Sequence, residues 1–196
     1  MIIRTARPED AGQIAEIYRP YVEHTAITFE YAAPDADEIR SRMLHTLEKY
    51  PYLTASEGDT ILGYAYAGPF KERKAYDWSV EVSVYLDENR RARGIGGALY
   101  RELEHVLARQ NIMNLNACIA FPEEEDEYLT KDSVRFHERM GYTLVGEFHK
   151  CGYKFGKWYN MVWMEKMIGN HPDLPADVTP FPELDCGKNE IPERTV

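Results

Sequence analysis

Between residues 78 and 109 the chain changes from an alternating pattern to a helical one across a run of glycines, and this junction constrains the fold most. Trp78, Val80, Val82, Val84 and Leu86 fall on one side of an extended segment, and Ser79, Glu81, Ser83 and Tyr85 on the other. From Gly94 to Arg109, Ile95, Leu99, Leu103, Val106 and Leu107 share a helical face, and an apolar strand follows near Leu115 to Ala120. A strand, helix, strand order of this kind implies a sheet with helices packed on it, an α/β architecture.

The junction reads Arg91-Ala-Arg-Gly-Ile-Gly-Gly-Ala98. Glycines let the backbone approach a phosphate closely, and the free N–H groups and dipole of a helix start favour its negative charge. As a dinucleotide fingerprint the run fails, because Leu99 stands where the third glycine belongs, and no Gly-Lys-Ser/Thr supplies a P-loop. By itself the run fits equally well a plain strand-to-helix turn.

Around this unit, Ile2 and Ile3 suggest a first strand, and Pro8, Glu9 and Asp10 open a helix carrying Ile14, Ile17, Tyr18 and Tyr21. A second helix is expected from about Asp37 to Lys49, stopped by Pro51. Residues 52 to 56 and 61 to 67 read as a hairpin turning at Gly58. Asp132 or Ser133 can cap a helix closing at Gly141, with two strands after it, near Tyr142 to Phe148 and Trp158 to Glu165. One domain is expected over residues 1–168. Residues 169–196 read as an acidic tail with five prolines, either mobile or packing its Pro-Phe-Pro-Glu-Leu segment across a neighbouring surface.

The net charge of −10 disfavours nucleic acid and anionic membranes as partners, and no apolar stretch approaches the roughly 20 residues of a bilayer span. Three cysteines without a C-x-x-C pair suggest neither a disulfide framework nor a zinc site, so a soluble protein of the reducing cytoplasm is expected. His137-Glu138 lacks the second histidine of a zinc helix, so no metal is expected.

An Arg-x-x-Gly-x-Gly run after an extended strand at mid-chain is similar to the pyrophosphate loop of the GNAT acetyltransferases. The similarity covers about Ile2 to Glu165. It is closest to the phosphinothricin and methionine-sulfone branch in Tyr-Ala-Gly-Pro-Phe-Lys-x-Arg (66–73), Ala-Tyr-Asp-Trp-Ser-Val-Glu (75–81), Phe-His-Glu (136–138) and Met-Gly-Tyr (140–142). The resemblance implies a mixed, mostly antiparallel twisted sheet with splayed central strands, helices on both faces, acetyl-coenzyme A as co-substrate, and a homodimer. It implies that Arg91, Arg93, Gly94, Ile95, Gly96, Gly97 and Ala98 hold the pyrophosphate. The backbone of Val84, Tyr85 and Leu86 would pair with the pantetheine arm as an added strand does, and Ser133 opens the helix beside it.

An amine attacking a thioester must lose a proton, and the departing thiolate must be protonated or stabilised. Glu81 resembles the branch's general base, and a glutamate within a sheet would have its pKa raised toward the operating pH by burial. His137 stands where many relatives carry a tyrosine acid and resembles the histidine of this branch. An imidazole can equally accept the amine proton, so the pair is assigned rather than the individual roles. Tyr85 is a candidate for orienting the acetyl group or amine, or else packs the strand.

Lys71, Arg73 and Lys74 form a basic loop beside Phe70 and Tyr76, suited to a carboxylate or phosphinate. Lys71, Arg73, Tyr76 and Phe29 match acceptor-site residues of the resembling enzymes. The expected acceptor is thus the primary amine of a small amino-acid-like compound. A polyamine or protein N-terminus is the alternative, and a non-catalytic acyl-coenzyme A binder is a third reading. Two departures from the branch stand out: Glu30 where arginine is common, and an acidic insertion, Pro122-Glu-Glu-Glu-Asp-Glu127, in place of a short loop.

Overall fold

The computed structural model of the protein describes residues 1–90, 94–184 and 194–195. The chain opens with β1 (Ile2–Thr5), a 3₁₀ turn at Pro8–Asp10 and α1 (Ala11–His24), then α2 (Ala36–Leu47) and the hairpin β2 (Tyr52–Glu57) and β3 (Thr60–Pro69). The alternating segment is β4 (Ser79–Leu86), the glycine run leads into α3 (Ile95–Arg109), and β5 (Asn114–Phe121) follows. After α4 (Asp132–Arg139) come β6 (Thr143–Lys154), β7 (Lys157–Met167) and the short β8 (Arg194–Thr195). The sheet order is β6-β7-β5-β4-β3-β2-β1-β8. Every neighbouring pair is antiparallel except β4 and β5, which are parallel.

The period-two alternation of β4 divides two apolar layers. Val80 and Val82 join Leu99, Leu103, Leu107 and Leu115 under α3. Tyr85 turns the other way, against the layer of Ile14, Tyr18, Met43 and Tyr64 beneath α1 and α2. Each fully buried aliphatic side chain contributes about 1.5–3 kcal/mol, so the sheet is held from both faces. Local signals set the boundaries. The Asp35 carboxylate accepts the Glu38 N–H at 2.9 Å and starts α2, while Gly58 (φ 57°) and Gly141 (φ 88°) take the left-handed conformation that their turns require.

Three expectations need correction. Neither Asp132 nor Ser133 caps α4; Lys131 occupies that position and Asp132 lies in the first turn. The last hairpin is longer than its sequence suggests, because β6 is an edge strand with register shifts at Leu144/Gly146 and Phe148/Gly152 that break the alternation. It closes through a two-residue turn with Phe155 and Gly156 both at positive φ. Trp78 precedes the strand rather than packing in its apolar row, and its indole N–H donates to the Ala176 carbonyl at 2.7 Å.

That carbonyl belongs to the proline-rich segment after residue 168, which runs across the domain as a strap. The Gln110 side-chain N–H₂ donates to Lys49 O (2.8 Å) and Thr179 O (2.9 Å), Thr179 N–H donates to Gln110 O, and Phe181 N–H to Lys49 O. Val178, Phe181 and Leu184 pack against the α3-side core.

Candidate active site

The two parallel strands pair over only three positions, Ser79 with Asn114, Val80 with Leu115 and Glu81 with Asn116. Beyond Glu81 they part, while β4 stays paired with β3 to Leu86 and β5 stays paired with β7 to Phe121. The result is a V with Glu81 at its apex. The buried Asn116 side chain donates from Nδ2 to Val80 O at 3.1 Å and ties the apex shut.

Backbone alternation decides which peptide groups face the gap. Asp87 N–H donates to Leu62 O and Phe70 N–H to Ser79 O, so odd-numbered residues of β4 turn their peptide groups toward β3. Val82 and Val84 therefore point theirs into the V. Tyr85, expected to pair with a ligand through its backbone, faces β3 instead. Leu86 faces outward, but the Tyr21 hydroxyl donates to its carbonyl (2.7 Å) and accepts its N–H (3.2 Å), so both groups are already engaged.

At the mouth, Gly94 takes φ 76° and caps α3. The N–H groups of Ile95, Gly96 and Gly97 belong to the first helical turn, where no carbonyl of the helix can reach them. Ala98 does not share this freedom, since its N–H already donates to Gly94 O at 3.0 Å and its side chain is buried. A Cβ on Gly96 would stand 3.4 Å from the Phe136 ring and 3.5 Å from Leu86, so the glycine lets α3 sit close to α4 and the end of β4. Arg91 and Arg93 lie outside the described residues.

A cleft opens between the strands, lined among others by Ile27, Val84, Tyr100, Cys118, Ser133 and His137. His137 is buried. Its Nδ1 lies 2.7 Å from the Ser133 carbonyl, which only accepts, so Nδ1 carries the proton. Nε2 of the neutral ring is then the acceptor for the Tyr100 hydroxyl at 3.0 Å. Burial, only partly offset by the bond to Ser133, pulls the imidazole down to about 4, so it is neutral at physiological pH. In the sequence Tyr100 is masked by its place beside Leu99 in an apolar stripe; its one signal is a phenol that needs a partner once buried.

Glu81 is half-buried, and desolvation raises its carboxyl above the ordinary range, with the Lys71 charge pulling it back. Its charge also bears on Tyr66, Tyr100 and Cys118. Cys118 borders the cleft; although the residue is exposed overall, local desolvation and then the Glu81 charge raise its thiol, which does not suit a nucleophile. Tyr85 borders the cleft, and its ring packs edge-on to Tyr18 and Tyr21 and stacked on Tyr64.

Of the acceptor candidates, Lys71 lies over the rings of Phe70 and Trp163 and within electrostatic reach of Glu81. Arg73 and Tyr76 are exposed on the same loop, Tyr76 edge-on to Phe70. Phe29 is wedged over Gly152 of β6, where a Cβ would come within 2.2 Å of the ring. The same hairpin tip sends the buried Lys154 ammonium to the carbonyls of Val22 (2.7 Å) and Thr28 (2.8 Å). Glu30 is held by Arg42 at 2.8 Å and by the Tyr18 hydroxyl at 3.1 Å, so its charge is compensated within the protein.

The acidic insertion is folded by its own carboxylates. Asp126 accepts the N–H groups of Tyr128 and Leu129, the Lys157 ammonium and the Tyr159 hydroxyl. Glu125 accepts Lys131 N–H and pairs with Arg135. These contacts carry Leu129 to the cleft wall. Among the described residues no group of three or more His, Cys, Asp or Glu is gathered for a metal, and no helix is long and apolar enough to cross a membrane.

Residues 3–163 match the model of the acetyltransferase (GNAT) domain. Over 178 residues, 91% of each chain, the sequence is 32% identical to a phosphinothricin N-acetyltransferase of Streptomyces viridochromogenes. It is 27% identical to an L-methionine sulfoximine/L-methionine sulfone acetyltransferase of Salmonella typhimurium, across 87% of this chain and 96% of the other. A phosphinothricin acetyltransferase from Sinorhizobium meliloti, solved in complex with acetyl-coenzyme A, superposes with a TM-score of 0.80 at 30% identity, covering 91% of this chain and 97% of that one.

Proposed function

The chain belongs to the GNAT acetyltransferase family and is an N-acetyltransferase, and from that premise we propose that it moves the acetyl group of acetyl-coenzyme A to the primary amine of a small amino-acid-like acceptor. Phosphinothricin, methionine sulfone and methionine sulfoximine are the acceptor types favoured. The observation that carries this reading is the parting of β4 and β5 at Glu81, directly ahead of the glycine-opened α3. A pantetheine arm would complete the broken ladder on the peptide groups of Val82 and Val84. The first-turn N–H groups of Ile95, Gly96 and Gly97, with Arg91 and Arg93 of the same loop, would receive the pyrophosphate.

Such an arm leaves its thioester near the apex. Glu81, with its raised pKa, takes the amine proton as nitrogen attacks the carbonyl carbon, and the wall formed by Tyr100 and His137 serves the departing sulfur. Lys71 and Arg73 suit the acceptor's acidic group, with Tyr76, Tyr85 and Phe29 shaping the apolar side. The insertion keeps Glu125 and Asp126 for its own folding, and Glu30 is compensated, so neither opposes an anionic acceptor.

A homodimer belongs to the same reading. Leu144, Val145, Phe148, Tyr153 and Trp158 are exposed on the terminal hairpin, more apolar surface than a free edge ordinarily carries. The two cysteines among the described residues are free thiols, which suits the reducing cytoplasm. Release of coenzyme A thiol is the test: turnover with the three named acceptors above spermidine and N-terminal peptides is expected. Turnover with spermidine or peptides alone would replace the acceptor, and none with any amine would remove the reading.

A further inference from the structure

The resemblance to the GNAT acetyltransferases implies that the thiolate side of the reaction falls to His137 on α4. The geometry here points elsewhere: we infer that Tyr100, on α3, is the group that meets the departing sulfur, and that His137 is a positioning residue acting through it. This rests on the proposed acetyl transfer and assigns a role within its cleft.

Three observations carry the assignment. Both residues border the cleft between the parted strands, so either side chain is on the wall that a thioester would face. Both imidazole nitrogens are committed, Nδ1–H to the Ser133 carbonyl and Nε2 to the Tyr100 hydroxyl. The imidazole therefore presents no N–H to the cleft, whereas the phenol carries the one hydrogen of the pair that can be re-aimed. Tyr100 is itself packed against Phe136 and Tyr142, with centroids 5.3 and 6.0 Å away, so its ring is fixed and only the O–H rotates.

The step balances without another reagent. Nitrogen attacks the carbonyl carbon while Glu81 takes the amine proton; the tetrahedral intermediate collapses, the C–S bond breaks, and sulfur leaves with the electron pair. The Tyr100 O–H turns from His137 Nε2 to that sulfur, exchanging a neutral hydrogen bond for a charge-assisted one of roughly twice the strength. No phenolate forms. The thiolate takes its proton from solvent on release, as Glu81 returns its own. Before the reaction, the histidine keeps the hydroxyl out of the thioester's path and pointing along the wall, the preorganisation that makes such a donor effective.

The test compares Tyr100→Phe, His137→Gln, His137→Leu and the double variant Tyr100→Phe/His137→Leu in steady-state kinetics, with thermal melts to confirm folding. Tyr100→Phe is expected to lower kcat about a hundredfold while KM for acetyl-coenzyme A moves little. His137→Gln, which keeps an acceptor, is expected to retain several times the kcat of His137→Leu, and the double variant to fall no lower than the worse single one. Near wild-type kcat in Tyr100→Phe, with His137→Gln as inactive as His137→Leu, would overturn the assignment and make the imidazole the donor. Multiplicative losses in the double variant would overturn it as well. If Tyr100→Phe or His137→Leu fails to fold, the comparison of His137→Gln with wild type decides: a loss of more than about a thousandfold counts against positioning. Absence of thiol release by the wild type would instead sink the proposed acetyl transfer, a result distinguishable from all of these.

Discussion

The two halves of the cleft are built by different means. The side proposed for the cofactor is made of backbone: the peptide groups of Val82 and Val84, and the first turn of α3 behind Gly94. Both lie within one contiguous stretch of chain. The side proposed for the acceptor is made of side chains brought from four distant segments, the loop after α1, the basic loop, the acidic insertion and the tip of the β6–β7 hairpin, where Gly152 receives Phe29 and Lys154 reaches Val22 and Thr28. A ligand shared across a family is gripped by geometry that any sequence with the right glycines can supply. A variable ligand is met by tertiary contacts that can be changed one at a time.

Glu81 stands where the halves meet, and replacing it should give the largest effect. Glu81→Gln is expected to lower kcat/KM about 100- to 1,000-fold, measured by thiol release, with KM for acetyl-coenzyme A little changed. The same variant should melt slightly higher at neutral pH. With its folded pKa above the unfolded value, the carboxyl gives full stability below the unfolded pKa and loses part of it as pH rises toward the folded one. A loss of both activity and stability would mean that Glu81 is structural.

The α4 wall of the cleft, outside both halves, should carry the acid sensitivity. The His137 pKa falls from 6.5 in the unfolded chain to about 4 in the fold. Its contribution is therefore complete above 6.5 and is lost as pH drops toward 4, about 3 kcal/mol in all. Urea titrations between pH 7 and 4 should show that loss, and His137→Gln should flatten it; an unchanged slope would place the titration elsewhere.

One glycine from each half separates them further. Gly152→Ala drives a Cβ into the Phe29 ring and should cost about 1–3 kcal/mol while raising the acceptor KM. Gly94→Ala strains a left-handed residue, should cost about 1 kcal/mol, and should raise the KM for acetyl-coenzyme A instead. If both variants shift the same KM, the division of the cleft is wrong. The smallest change is expected from Lys71→Gln. Removing the charge lets the Glu81 pKa climb, so the acid limb of kcat/KM should move to higher pH, with under about fivefold loss at neutral pH because an exposed charge is screened.

The same division explains how much could be read from the chain alone. The alternation of β4, the stripe of α3 and the glycines between them are local patterns, and each marks an element that the structure contains. The second half of β6, beyond Phe148, is not marked because its exposed edge does not alternate, and Tyr100 and Asn116 are informative only once their partners, His137 and Val80 O, arrive from other elements. Position in the motif points Ala98, Leu86 and the backbone of Tyr85 toward the cofactor. Their peptide groups are used by α3, by Tyr21 and by β3, which spacing does not reveal. The strap is legible only as one of two alternatives for a related reason: its N–H groups end on the carbonyls of Lys49 and Gln110, and a composition rich in proline says nothing of where its few donors will find acceptors.

The chain has three tryptophans, and each occupies a separate district. The Trp78 indole is tied to the strap, Trp163 stands edge-on to Phe70 under the Lys71 ammonium, and Trp158 lies open on the terminal hairpin. Intrinsic fluorescence is thus already divided into three channels. Single-tryptophan versions of the protein would report strap release and test the proposed arrival of an anion at the basic loop and the proposed burial of the hairpin by a second copy, with no dye attached.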